Sequence, residues 1–359
     1  MANNKDFKVK NGIKPAAYQE AVGTATSGSV AVGYDLSVAA YDSVEFSIVS
    51  QDTSPRGMTF NNDGTKMYIV GSGNDSVFQY SLSTGFDLST ASYDSVSFSV
   101  ASQDTTPIGL SFNNDGTKMY IIGNSSNTVY QYSLSTGFNL STASYDSVSF
   151  SVSSQESSSQ DLAFNNDGTK MYIVGSGSNT VYQYSLSTGF NLSTASYDSV
   201  SFSAASQEGS VRGMTFKSDG TKMYVTGALN DSVYQYSLST AFDISTATYD
   251  NESFSLASQT TAPNGITFSD NGTKLYMVTG SGDKVFQYST GSTLATATLD
   301  LSTGSVFEVT PTANTQVSLS NPAASGTVSS STLLLSTSAT AYTITWDSSI
   351  KWSGGTAPD

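Results

Sequence analysis

The sequence FNNDGTKMYIVG at residues 60–71 recurs four more times with few changes, and its five copies determine how the chain folds. The copies begin at Phe60, Phe112, Phe164, Phe216 and Phe268, each 52 residues after the previous one. A regular repeat of about 50 residues is typical of a tandem array of one supersecondary unit. The chain therefore contains five copies of one unit, flanked by an unrelated segment at each end.

Each unit contains four β-strand patterns, which we name strands A to D in chain order. In the second unit they are GLSF (109–112), KMYII (118–122), TVYQYSL (128–134) and SVSFSV (147–152). Apolar and polar residues alternate in strands A, C and D, as they do in strands with one buried face. The NNDG segment between A and B offers Gly116 for the positive φ of a tight hairpin. Each unit is predicted to be a four-stranded antiparallel meander.

The strand inventory predicts a closed ring. One meander buries too little surface to be stable and leaves two unpaired edges, whereas radial packing of five gives a five-bladed β-propeller. A D pattern at residues 43–50 precedes the first A strand, and the last C strand, KVFQY at 284–288, has no D strand after it. We expect residues 43–50 to complete the fifth blade, so that the propeller spans residues 34–289.

The composition restricts the chemistry of the chain. Its net charge is −15 with only 14 Lys and Arg residues, which argues against nucleic acid as a partner. It contains no His and no Cys, so the usual catalytic triads and His-containing metal sites are excluded, and we expect no metal and no cofactor. No run of 18 apolar residues is present to insert into a membrane, and residues 1–18 lack the apolar core of a signal peptide.

Carboxylates just before strand A are the remaining candidates for catalysis, because glycosidases use paired carboxylates and some five-bladed propellers are glycosidases. The residues at this position are Asp52, Asp104, Glu156, Glu208 and Thr260. A general acid and a general base need different environments, whereas near-identical blades provide near-identical ones. Asp161 is an exception to this similarity between blades, since the other four units have glycine at its position. We predict that the protein is not an enzyme.

Positions that vary within the repeat are the candidates for ligand recognition. Strand A is the innermost strand of a propeller blade, so the residues that enter it surround the mouth of the central channel. These residues are Arg56, Ile108, Gln160, Arg212 and Asn264. Arg and amide side chains bind sugar hydroxyls and carboxylates. We predict a ligand-binding ring at the channel mouth, and the alternative is that exposed loops vary without function.

Three segments resemble known proteins. The pattern F-x-x-DGTK-h-Y-h-h-G (h, apolar) followed by VYQYSLST resembles the blades of a large, functionally mixed group of bacterial and viral propellers. MANNKDFKVKNGIKPA at residues 1–16 resembles the N-terminus of fibre-like structural proteins of marine tailed bacteriophages. Residues 299–358, from LDLSTGSVFEVT to WSGGTAP, are similar to the C-terminal β-module of phage tail fibres.

This resemblance implies a virion protein, made in the host cytoplasm and placed on a tail or capsid fibre at the particle surface. Residues 1–33 would anchor it to other virion proteins, with a disordered leader as the alternative. Residues 290–359 would form a fibre-like β-module with Trp346 and Trp352 in its core, and a homotrimer would supplement so small a core. The expected function is attachment to a host-surface glycan or receptor. The alternatives are a glycan-degrading enzyme on the virion and a cellular lectin or adhesin.

Overall fold

The computed structural model describes residues 25–311, 314–321, 331–335, 344–346 and 350. The chain divides into two compact units, one of Val32–Ser292 and one that combines the described parts of Met1–Ala31 and Thr293–Asp359. Within the described part of the chain, no helix has the length and apolar character needed to cross a membrane.

The unit Val32–Ser292 is a five-bladed β-propeller, which confirms the prediction from the repeat. Each blade is a four-stranded antiparallel sheet, and the A strands of neighbouring blades contact one another around a closed ring. Two strands precede the repeats: β1 (Ala25–Val32), which belongs to the second unit's sheet, and β2 (Ala40–Ser47), which belongs to the propeller.

The strands of the five blades follow in chain order. Blade 1 has β3 (Pro55–Phe60), β4 (Lys66–Gly71), β5 (Ser76–Leu82) and β6 (Ala91–Ser99), and blade 2 has β7 (Pro107–Phe112), β8 (Lys118–Gly123), β9 (Thr128–Leu134) and β10 (Ala143–Ser151). Blade 3 has β11 (Ser159–Phe164), β12 (Lys170–Gly175), β13 (Thr180–Leu186) and β14 (Ala195–Ser203), and blade 4 has β15 (Val211–Phe216), β16 (Lys222–Gly227), β17 (Ser232–Leu238) and β18 (Ala247–Ser255). Blade 5 has β19 (Pro263–Phe268), β20 (Lys274–Thr279) and β21 (Lys284–Ser289).

Blade 5 is completed by a strand that precedes all the repeats in the chain. Strand β2 pairs antiparallel with β21, placing Val44 opposite Gln287 and Ser47 opposite Lys284. Ile48, which directly follows β2, is fully buried. The ring closure predicted from the strand count is confirmed, with the closing strand at Ala40–Ser47 rather than at 43–50.

The repeated phrase builds the A–B hairpin of each blade. In blade 1, Gly64 has a φ of +70°, a conformation that favours glycine. The Asp63 carboxylate accepts hydrogen bonds from the backbone N–H and the hydroxyl of Thr65, at 3.0 and 2.6 Å. Lys66 pairs with Asp94 of strand D at 2.7 Å, and an equivalent Lys–Asp pair occurs in every blade. The phrase is constant because it carries the turn and one end of this ion pair.

Short 3₁₀ helices precede the outer strands. They are Leu36–Val38, Leu88–Thr90, Leu140–Thr142, Leu192–Thr194 and Ile244–Thr246. Each begins after an Asp or Asn side chain that accepts a hydrogen bond from the second helical N–H, as Asp87 does from Ser89. Three residues are too few to produce a helical periodicity, so the sequence patterns do not reveal these helices.

Two kinds of polar contact recur at the interfaces between blades. A strand B tyrosine donates its hydroxyl to a backbone carbonyl of the following blade at all five interfaces: Tyr68 to Phe138, Tyr120 to Phe190, Tyr172 to Phe242, Tyr224 to Tyr34 and Tyr276 to Phe86. At four interfaces a strand C glutamine accepts a hydrogen bond from a backbone N–H of the 3₁₀ helix in the next blade: Gln79 from Leu140, Gln131 from Leu192, Gln183 from Ile244 and Gln287 from Leu88. In the described residues Gln235 Oε1 is buried without a partner, so the glutamine contact is missing between blades 4 and 5.

The second unit is a small β-module with parallel strand pairs. Its strands are β1, already given, with β22 (Ser292–Asp300), β23 (Val306–Val309), β24 (Thr315–Ser320), β25 (Thr332–Leu335) and β26 (Ile344–Trp346). Strands β1, β22, β24 and β26 form one sheet, and β23 pairs with β25. Phe307 and Val317 are fully buried in its core, and Trp346 packs against that core. Trp352 and residues 1–24 of the expected anchor lie outside the described residues.

Removal of an interblade hydroxyl is expected to destabilise the propeller. Tyr224 Oη donates to the carbonyl oxygen of Tyr34 at 2.6 Å in a buried position. Tyr224→Phe leaves that carbonyl unsatisfied and should lower the free energy of unfolding by about 1–3 kcal/mol. The Tyr80 hydroxyl is buried without a hydrogen-bond partner, so Tyr80→Phe is the matched control and should be neutral or stabilising. Urea denaturation measures both variants, and equal losses would contradict the role of the hydroxyl.

Candidate binding site at the channel mouth

The five predicted ring residues occupy the second position of strand A in their blades. They are Arg56 in β3, Ile108 in β7, Gln160 in β11, Arg212 in β15 and Asn264 in β19. The A–B hairpins lie at the other end of these strands, so the ring lies at the end formed by the D–A and B–C loops. Because the A strands contact one another around the centre, the five positions surround one mouth of the channel.

Hydrogen bonds bring several ring residues together across blade boundaries. Arg212 Nη1 donates to Gln160 Oε1 at 3.4 Å, which joins blades 3 and 4. Asn264 Nδ2 donates to the carbonyl oxygen of Pro55 at 2.9 Å, which joins blades 5 and 1. Ile108, Gln160 and Asn264 are buried, whereas both arginines are half-buried. The ring thus offers two partly accessible guanidinium groups flanked by amides.

Two guanidinium groups interact electrostatically at the mouth. Burial lowers the pKa of Arg56, the nearby charge of Arg212 lowers it further, and Asp52 opposes both effects. Within the described residues, neither arginine forms an ion pair with a carboxylate. Arg212 Nε is buried and has no hydrogen-bond partner. The arrangement suits a ligand group that accepts hydrogen bonds and carries negative charge.

The ring includes serine hydroxyls that the sequence patterns do not identify. Ser72 Oγ accepts from Arg56 Nε at 3.4 Å, and Ser176 Oγ accepts from Gln160 Nε2 at 3.1 Å. Both serines directly follow strand B, where the five units have Ser, Asn, Ser, Ala and Gly. Since the end of strand B pairs with the start of strand A, as Gly71 does with Pro55, this variable position adjoins the ring.

The acidic residues considered for catalysis hold the B–C loops. Asp52 accepts hydrogen bonds from the backbone N–H groups of Ser54, Gly73 and Asn74, at 2.6, 3.2 and 3.0 Å. Asp104, Glu156 and Glu208 make the corresponding contacts in their blades. These carboxylates fix the loops around the mouth, and the expectation that the protein is not an enzyme stays a prediction. In the described part of the chain, no group of three or more acidic residues is placed to hold a metal ion.

Asp161 lies one position below the ring and joins two blades. At this position Gly57, Gly213 and Gly265 approach the neighbouring blade so closely that an added Cβ would lie 2.5–3.0 Å from a carbonyl oxygen. In blade 3, Asp161 Oδ2 instead accepts the Met214 N–H of blade 4 at 3.0 Å. Burial raises the pKa of this carboxyl to about 7, against the opposing effect of two backbone hydrogen bonds. Asp161 also lines a cavity of about 180 Å³ between the five A strands.

Comparisons with known proteins give only distant structural similarities. No family model matches the chain, and no curated protein matches it. Similar solved structures include a functionally unknown protein from Desulfotomaculum acetoxidans, with 12% identity, a TM-score of 0.40, and coverage of 63% of this chain and 62% of that one. Another is named "putative 6-phosphogluconolactonase" from Bacteroides uniformis, with 13% identity, a TM-score of 0.42, and coverage of 63% and 64%. The Cps50 (Swd1) β-propeller domain of Myceliophteria thermophila has 7% identity, a TM-score of 0.41, and coverage of 66% and 82%. The chain therefore spans less than two thirds of the first two proteins.

Proposed function

We propose that the protein is an attachment protein that displays its propeller on a virion and binds a host-surface glycan at the channel mouth. The supporting observation is the contrast between the two ends of the blades. The A–B hairpins and the interblade tyrosines are nearly constant, whereas the ring residues differ in charge, size and hydrogen-bonding groups. A rigid scaffold with variable polar residues at one end is common among binding proteins.

The chain enters and leaves the propeller at the end of the blades opposite the ring. The chain enters the propeller beside the blade 5 hairpin, where Tyr34 N–H donates to the carbonyl oxygen of Gly272 at 2.7 Å. It leaves beside the same hairpin, where Thr290 N–H donates to the carbonyl oxygen of Thr273 at 2.9 Å. Both residues therefore lie at the A–B hairpin end of blade 5, whereas the ring lies at the other end of the blades.

The virion assignment rests on the resemblance of residues 1–16 and 299–358 to phage fibre proteins. In this proposal the N-terminal segment contacts other virion proteins, and the β-module supports a homotrimer. Localisation in purified particles by cryo-EM tests the assignment. A protein absent from the particle surface would favour the cellular lectin or adhesin.

A bulky residue at the mouth rim is expected to weaken attachment. Ser125 and Ser135 are both exposed in blade 2, but Ser125 lies in the B–C loop at the mouth end and Ser135 lies after strand C at the opposite end. Ser125→Trp should reduce binding to host cells or their isolated polysaccharide about tenfold, whereas Ser135→Trp should leave it unchanged. Biolayer interferometry measures both. Equal binding by the two variants would contradict attachment at the mouth, and new reducing ends in the polysaccharide would indicate a glycan-degrading enzyme.

A further inference from the structure

We propose that Arg56 and Arg212 together form an oxyanion site that holds the carboxylate of an acidic sugar. This inference rests on the proposed glycan binding and specifies its ligand class. It concerns two residues of different blades that the closed ring brings to the same channel mouth.

The two guanidinium groups have few protein partners. Each guanidinium carries five N–H donors. In the described part of the chain, one donor of Arg56 reaches Ser72 Oγ and one donor of Arg212 reaches Gln160 Oε1, both at 3.4 Å, the long limit for a hydrogen bond. Arg212 Nε is buried and unpartnered. A bound carboxylate would give the accessible N–H donors of both groups short, charge-assisted hydrogen bonds.

The nearest protein carboxylate already has other partners. Asp52 acts on Arg56 electrostatically, but its two oxygens accept three backbone N–H groups of the surrounding loops. It therefore serves the loop rather than the guanidinium. Among the described residues no carboxylate contacts either guanidinium, so that contact is open to a ligand oxyanion.

The charges of the two arginines affect each other at the channel mouth. After burial, the positive charge of Arg212 is the main cause of the lowered pKa of Arg56, so the two groups repel each other across the mouth. They come from blades 1 and 4, with Asn264 of blade 5 between them in the ring order. An oxyanion placed between two repelling cations relieves the repulsion and gains attraction from both.

The surroundings favour one carboxylate on a polar ligand. Gln160 Nε2 and the Ser176 hydroxyl are 3.1 Å apart at the mouth, and such groups hydrogen-bond sugar hydroxyls. The chain has a net charge of −15, which disfavours ligands with dense negative charge at low salt. A monovalent carboxylate on a neutral sugar ring combines these properties better than a divalent phosphate does.

Calorimetry on the full chain with glucuronate, glucose and glucose 6-phosphate tests the site. We expect glucuronate to bind at least about tenfold more tightly than glucose, and Arg56→Gln or Arg212→Gln to remove about tenfold or more of that affinity. Arg→Lys at either position should recover only part of that affinity, because the forked geometry of the guanidinium is lost.

Lys284→Gln is the control with the same charge change, since Lys284 pairs with Glu45 at 2.6 Å on blade 5. The unfolding midpoint of Arg56→Gln should be equal or higher, because one of two repelling charges is gone, whereas a merely structural arginine would give a lower midpoint.

The outcomes separate this inference from the attachment proposal. Equal affinities for glucuronate and glucose, unchanged in both Gln variants, would overturn the oxyanion site. Tighter binding of glucose 6-phosphate, lost in the same variants, would overturn the carboxylate in favour of phosphate. Equal binding of alginate and carboxyl-reduced alginate would support attachment and overturn the oxyanion site. Glucuronate binding without binding to any polysaccharide or host cell would support the site and overturn attachment.

Discussion

Deletion of residues 34–50 is expected to lower the unfolding midpoint of the propeller by more than about 10 °C, or to prevent folding. The deletion removes strand β2 and the 3₁₀ turn before it. Tyr34, Leu36 and Ile48 are 8%, 2% and 0% exposed, so three large apolar contributions to the core disappear. At about 1.5–3 kcal/mol for each buried side chain, the loss is comparable to the whole stability of a typical domain.

The same deletion removes Asp42, the acidic partner in blade 5 of the Lys–Asp ion pair that occurs in every blade. Asp42 of β2 accepts hydrogen bonds from Lys274 at 2.6 Å, Gln287 at 2.8 Å and Ser289 at 2.5 Å. Without Asp42 these groups of blade 5 have no carboxylate, and strand β21 becomes an unpaired edge. Exposed edges of this kind promote aggregation, so we expect light scattering to rise together with the loss of the thermal transition.

Two matched chains test the closure by thermal denaturation followed by circular dichroism. An equally long deletion of residues 2–18 should leave the midpoint unchanged. A permuted chain that runs from 51 to 290, continues through Ser-Thr-Gly and ends with 34–50 should fold like the chain 32–292, because Ser-Thr-Gly makes this connection at 83–85. Equal losses in the two deletions, or a permuted chain that does not fold, would show that β2 does not close the ring.

The blades and the ring closure could be predicted because they depend on short sequence patterns and on the number of strands. Period-2 patterns locate strands, the repeat locates blades, and one unmatched D strand locates the closure. The interblade contacts have no such signal: Tyr68 donates to a carbonyl 70 residues away, and only the three-dimensional arrangement pairs them. Sequence comparison placed Arg56 and Arg212 at equivalent positions, but their mutual repulsion appears only when blades 1 and 4 share a channel. Likewise, the sequence does not show that the Asp52 carboxylate accepts three backbone N–H groups of its surrounding loops.

The second large effect that we expect is a dependence of stability on the ionisation of Asp161. Its pKa is raised by burial from 3.8 to about 7 in the folded protein. Between these two values the folded protein keeps a proton that the unfolded chain releases, so the free energy of unfolding falls as pH rises from about 4 to about 7. Above that range the cost of a buried charge is fully present, and a shift of about three pH units corresponds to about 4 kcal/mol.

Asp161→Asn isolates this effect, because the amide oxygen still accepts the Met214 N–H and no longer titrates. The stability of the variant relative to the parent should rise by about 4 kcal/mol between pH 4 and pH 8, measured by urea denaturation at each pH. Other carboxylates are common to both chains and cancel in this difference.

Asp63→Asn is the control of opposite sign. Hydrogen bonds from Thr65 lower the pKa of Asp63, so the parent loses stability relative to that variant as pH falls below about 4. A difference between Asp161→Asn and the parent that does not change with pH would show that the Asp161 carboxyl titrates normally, and that its role is confined to the contact between blades 3 and 4.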